Sequence, residues 1–148
     1  MSISESRAVV ERFIAEVWNA GNLGAINDLV HPDYAVEGTE RGSDFVRNNV
    51  AAYRTAFPDL ECTIEQVITE ADWVAARLTL RGTHLGPLGD IPPSGNRVEM
   101  REMAFWLVAG GRVRATWSVG DALGARVQIG ALPASAWYRS LREAEDPR

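Results

Sequence analysis

RVEMREMAFWLVAGGRVRATWSVGD, residues 97–121, is the stretch on which the fold turns. Two apolar-rich runs meet at Gly110-Gly111, and a Gly-Gly pair supplies the positive φ angles that a two-residue hairpin loop demands. Pairing counted outward from that loop sets Val108 opposite Val113, Trp106 opposite Ala115, Ala104 opposite Trp117 and Glu102 opposite Val119. Side chains alternate across a strand, so these residues share one face, with Asp121 further along it. The other face carries Arg101, Met103, Phe105 and Leu107 on the first strand and Arg112, Arg114, Thr116 and Ser118 on the second. The first face is apolar and aromatic, yet it holds two carboxylates, Glu102 and Asp121. A carboxylate on the greasier face of a long strand is costly unless it has a task.

Upstream of the hairpin the apolar period is first helical and then alternating. Val10, Phe13, Ile14 and Val17 repeat at helical spacing behind N-cap candidates at 2–5, which predicts a first helix to about Asn19. Leu23, Ile26, Leu29 and Val30 predict a short second helix stopped by His31-Pro32, with a short strand from Tyr34 to Glu37 after it. Phe45, Val46, Val50, Tyr53 and Phe57 lie along one side of a third helix, capped by Ser43 or Asp44 and closed by Pro58-Asp59. Residues 61–69 and 73–82 read as a hairpin around 70–72. The glycines and prolines of 83–96 make an irregular connection. Residues 123–129 extend or leave the last strand, and 133–141 predict a short terminal helix. Three helices followed by long antiparallel strands form an α+β pattern. A bent sheet wrapped around a long helix leaves a concave apolar interior of the kind that binds small ligands.

Composition narrows the partners. At 148 residues the chain is one domain, 1–148, long enough to bury roughly 70% of its unfolded surface. A net charge of −5 with scattered basic residues argues against nucleic acid. No apolar run reaches a membrane span and no signal-peptide core is present, so the expected setting is cytoplasmic. One cysteine and two histidines without ligand spacing give no expectation of a metal or other cofactor.

Six phrases occur in an order that resembles the SnoaL-like polyketide cyclase family of the NTF2-like superfamily. They are HPDY (31–34), AFPDL (56–60), RGTHLG (81–86), IPPSG (91–95), and WSVGD with QIG (117–121 and 128–130). The resemblance implies an α+β cone, a curved antiparallel sheet wrapped around N-terminal helices, commonly dimeric through the sheet, with an apolar pocket. It further implies cofactor-independent, intramolecular aldol-type ring closure on a hydrophobic polyketide-derived substrate. The family's acid/base aspartate matches Asp121. Where cyclases carry a histidine and a glutamine on the preceding strand, this chain has Ala104 and Glu102. An asparagine after the HPDY tyrosine is replaced by Val36.

The residues themselves support that chemistry. A carboxyl in an apolar pocket has its charged form disfavoured, and so exchanges protons near neutral pH. Asp121 is the first candidate for general acid/base, against the plainer alternative of a strand-end aspartate capping the next turn. Glu102 is the second: two carboxyls in one apolar site split their proton affinities. A slip in register would instead turn it to solvent. Trp106 and Trp117 have the size to stack on a planar ligand, and Phe13, Trp18, Tyr34 and Phe57 are core residues with access to the pocket. Glu37 is expected at the cavity mouth, where relatives carry a histidine, and His84 in the loop is a further acid/base candidate. Cys62 is expected to be a buried strand residue rather than a nucleophile. Other reactions on the same scaffold (hydroxylation, dehydration, epoxide opening) and a non-catalytic ligand-binding module are the alternatives.

Overall fold

In the computed structural model, which describes residues 2–136, the chain forms four α-helices and one six-stranded sheet. The first helix, α1 (Ile3–Arg12), starts with a capping box. Ser2 accepts from the Glu5 backbone N–H, and the Glu5 side chain reaches back to the Ser2 N–H. A π-helical segment, Phe13–Asn19, prolongs it. Val10, Phe13, Ile14 and Val17 are all buried, as helical spacing requires of a face laid on a sheet. Asn19 at its end exchanges two hydrogen bonds with the Cys62 backbone, at 2.9 and 2.7 Å, which fixes the helix over the sheet.

A single 3-10 turn (Leu23–Ala25) and α2 (Ile26–Leu29) lead into β1 (Val30–Val36). The strand therefore begins four residues before the predicted Tyr34 and contains His31-Pro32. The reason lies in the pairing. β1 runs parallel to the last strand, but its register is interrupted between Val30 and Ala35. Pro32 sits in that gap, where no N–H is needed. After β2 (Thr39–Glu40), α3 (Ser43–Ala56) buries Val46, Val50 and Ala56, with Gly42 rather than Ser43 at its N-cap.

The remaining strands, β3 (Glu61–Glu70), β4 (Trp73–Thr83), β5 (Arg97–Ala109) and β6 (Arg112–Gly120), form an antiparallel meander. The sheet order is β2-β1-β6-β5-β4-β3, so the expected antiparallel sheet contains one parallel pair, β1 with β6. Register breaks in three strand pairs bend the sheet toward the helices. The α+β architecture and the helix-filled curved sheet are as expected. α4 (Ala122–Gln128) leaves the last strand as a helix, one of the two paths left open at 123–129. The predicted terminal helix over 133–141 lies only partly within the described residues.

The Gly110-Gly111 turn forms with φ of 57° and 74°, and Val108 faces Val113 as predicted. One residue later the register departs from that expectation. Ala115 pairs with Leu107, leaving Arg114 as the extra residue of a β-bulge. From there Thr116 pairs with Trp106, Ser118 with Ala104 and Gly120 with Glu102. The expected pairs Trp106–Ala115, Ala104–Trp117 and Glu102–Val119 do not exist. Arg114 donates across to the Asp33 carbonyl, so the bulge is tied to the irregular stretch of β1.

Candidate active site

Between the concave face of the sheet, the first helix and α3 lies a cavity of about 230 Å³. Its walls are mostly apolar: Phe13, Ile14, Trp18, Val46, Leu78 and Trp106 among them. Polar groups converge on one side, where Glu102 from β5, Thr116 and Ser118 from β6, and Tyr34 from β1 meet. The bulge creates this grouping, because it turns Thr116 and Ser118 onto the face that Glu102 occupies. An apolar hollow with a few convergent polar groups is the usual form of a small-molecule site.

Glu102 is the carboxyl group of that corner. Burial pushes its carboxyl above the usual carboxylate range, and the neighbouring Ser118 hydroxyl offsets this only in part. Gly120 is what leaves the carboxylate room: a Cβ at that position would stand 3.3 Å from Glu102 Oε2. Tyr34 is likewise raised, first by burial, so its phenol stays protonated and available to donate. The Tyr34 hydroxyl approaches Thr116 without the geometry of a formed hydrogen bond, and Thr116 Oγ1 stays unpaired. Cys62 also lines the cavity, but burial pushes its thiol up to about 12, so it is a thiol at neutral pH and no nucleophile.

The residues singled out from sequence divide into two groups. Glu102, Trp106, Tyr34, Phe13 and Trp18 come together around the cavity. Asp121 does not join them. It is exposed at the N-cap of α4, where Oδ1 accepts from the Gly124 N–H at 2.8 Å. The expectation that Asp121 continues the face of Glu102 fails at the bulge. Trp117 is turned to the opposite face for the same reason, and its ring packs at a tilt against Trp73, with centroids 5.4 Å apart. Phe57 lines a neighbouring chamber instead. Glu37 is exposed, in a left-handed conformation (φ 49°), and its Oε1 accepts from the Ser118 N–H at 2.9 Å, extending the β1–β6 pairing.

His84 is a loop residue, yet it is fully buried. Its Nδ1 accepts from the Ser94 N–H, its ring packs on Phe57 at 5.4 Å, and Nε2 has no partner. It pins the 84–96 connection and lies outside the cavity walls. The cavity also holds Thr116 and Ser118, which alternation counted from the turn puts on the other face, and Asn49, Tyr53 and Met100, which no motif marks. Among the described residues no group of three His, Cys, Asp or Glu side chains is placed to hold a metal ion.

With this geometry in place, comparison with known proteins gives a consistent answer. The sequence profile of the SnoaL-like polyketide cyclases matches residues 8–129. Aklanonic acid methyl ester cyclase AcmA from Streptomyces galilaeus is 37% identical over 100 residues, covering 63% of this chain and 68% of that protein. TsrD from Streptomyces laurentii superposes with a TM-score of 0.81 at 28% identity, over 89% of this chain and 99% of that one. AclR from Streptomyces galilaeus, proposed to be a hydroxylase, superposes with a TM-score of 0.79 at 28% identity, over 97% of this chain and 94% of that one.

Proposed function

The chain belongs to the SnoaL-like polyketide cyclase family and is an enzyme of that class; we propose that it closes a ring in a hydrophobic polyketide-derived ester by an aldol-type reaction. The substrate occupies the cavity beneath the sheet, and Glu102 is its general acid/base. A single observation carries this reading: Glu102 is a carboxyl whose affinity for a proton is raised by burial, set in the polar corner of an apolar cavity. In the reaction the Glu102 carboxylate removes a proton from a carbon α to a carbonyl. The resulting enolate carbon attacks a second carbonyl of the same molecule, and the new alkoxide takes the proton back from Glu102. Protons and electrons balance with no cofactor, as a cofactor-independent cyclase of secondary metabolism requires. Raising the carboxyl's pKa makes it the stronger base for the first step. The protonated Tyr34 phenol is suited to hold the developing enolate oxygen, and Trp18 and Trp106 to stack on the planar body of the substrate.

Asp121 remains the second proposed acid/base residue, on the strength of its motif alone. Two substitutions separate the pair. Glu102→Gln should lower turnover of a polyketide methyl ester by about 10² or more, the usual worth of a positioned acid/base. If Asp121→Asn does so while Glu102→Gln leaves turnover intact, the assignment to Glu102 is wrong. The likeness to AclR favours hydroxylation as the second reading of the same cavity. Product mass decides between them, since ring closure by aldol addition leaves the mass unchanged and hydroxylation adds one oxygen. The proposal also includes a cytoplasmic homodimer, joined through the outer face of the sheet, where Met103, Phe105 and Val119 are exposed.

A further inference from the structure

A second chamber of about 120 Å³ adjoins the main cavity. Phe57 and Leu60 behind α3, Val98 on β5, Leu88 of the connection, and Ala125 and Ile129 at α4 give it apolar walls. Three side chains, Tyr53, Leu80 and Met100, line both spaces and are therefore the partition between them. None of the three is fully buried, and Met100 is unbranched, a side chain that changes rotamer at little cost. Its thioether lies beside Gly120, where an added Cβ would stand 3.2 Å from Met100 Cε and 3.3 Å from Glu102 Oε2. The partition thus sits next to the carboxylate to which the reaction is assigned.

Size gives the partition its meaning. Ligand pockets begin at roughly 300 Å³. The main cavity alone, at about 230 Å³, falls short of that, and so does the second chamber. Joined, they pass it. Two arginines, Arg81 and Arg126, border the second chamber. Arg81 is paired with Glu99 at 2.9 Å, whereas Arg126 makes no ion pair among the described residues.

We propose that the second chamber is a subsite for the far end of an elongated, planar, multi-ring substrate: Met100 swings aside to join the two spaces, and Arg126 pairs with a carboxylate at that end. This deepens the reading of the main cavity as the substrate site, and so it rests on that reading. It also places a specificity determinant on the body of α4, away from Glu102 on β5.

Binding to the whole protein tests it without requiring turnover. Calorimetry would compare a linear tetracyclic quinone bearing a terminal carboxylate, its terminal carboxamide, and a bicyclic naphthoquinone. Ala125→Phe, which fills the chamber, should weaken both tetracycles about tenfold or more and leave the naphthoquinone within about twofold. An equal loss for all three ligands, or no loss for the tetracycles, overturns the subsite. Arg126→Gln alters an exposed position on α4 and leaves the core intact. It should weaken the carboxylate severalfold and not the carboxamide, and equal effects on the two would overturn the role of Arg126. Because Glu102→Gln is judged by turnover and these variants by affinity, a wrong catalytic assignment and a wrong subsite give different results.

Discussion

A carboxyl whose proton affinity is raised in the folded state must weaken that state once it ionises. Glu102 is such a group, with burial as the first cause. Its sign follows from linkage: the folded protein binds the proton more tightly than the unfolded chain, so stability is fully present below the ordinary carboxylate value of 4.5. It is lost as pH rises from there through the raised value. Glu102→Gln keeps the shape and removes the ionisation. The variant is therefore expected to melt at the wild-type temperature in acid and above it at neutral pH, with the gap opening across that window. Melting curves of the two proteins over a pH series check this, and parallel curves would contradict it. Such a trade, in which one residue lowers stability where function needs it, is common at active sites.

At the scale of elements, one extra residue in β6 decides which side chains see the cavity. The bulge at Arg114 brings Thr116 and Ser118 inward and sends Trp117 and Val119 out. Val119 becomes 80% exposed as a result. At the end of the same strand Asp121 starts α4, and its geometry is that of a cap: Oδ1 accepts from the Gly124 N–H, and a Cβ on Gly124 would collide with the carboxylate. Asparagine caps a helix about as well as aspartate, and alanine does not. Asp121→Ala is accordingly expected to lose about 1 kcal/mol of stability. That corresponds to roughly 2–4 °C in Tm for a domain of this size. Asp121→Asn is expected to keep its stability. Thermal melts of the two variants separate the capping role from any catalytic one, which the turnover of Asp121→Asn then measures alone.

The described residues form one sheet with two unlike faces. The concave face is covered by α1, its π-helical extension and α3, whereas the convex face is left with Ile68, Trp73, Met103, Phe105 and Val119 exposed. Phe105 alone is 53% exposed at the centre of that surface. A contiguous apolar surface of this kind on a soluble domain marks an interface more often than a random patch. The proposed homodimer would bury it. Light scattering should then give twice the chain mass for the wild type and the single-chain mass for Phe105→Asp. A monomeric wild type would remove the proposal.

Much of this architecture was legible in the chain. The helical spacing of Val10, Phe13, Ile14 and Val17, the Gly110-Gly111 turn and the alternation along 73–82 each reflect local preference and patterning, which act within a few residues. Those signals determined the α+β class, and the ordered motifs determined the family. The composition of the site was less accessible. Glu102 is legible as an acid on an apolar face, but unbroken alternation puts its partners Thr116 and Ser118 outward and Trp117 and Asp121 inward. The cause is the bulge, which no nearby residue announces. Arg114 is held by the Asp33 carbonyl, 81 residues away in sequence, and β1 accommodates Pro32 in the same irregular stretch. His84 is similar, a loop histidine by its neighbours that is buried by contacts with Phe57 and Ser94. Sequence by itself settled the type of the long, strongly patterned segments and which family the chain resembles. Only tertiary structure decided which side chains face the cavity, because facing depends on register, and register was set here by pairing between strands distant in the chain.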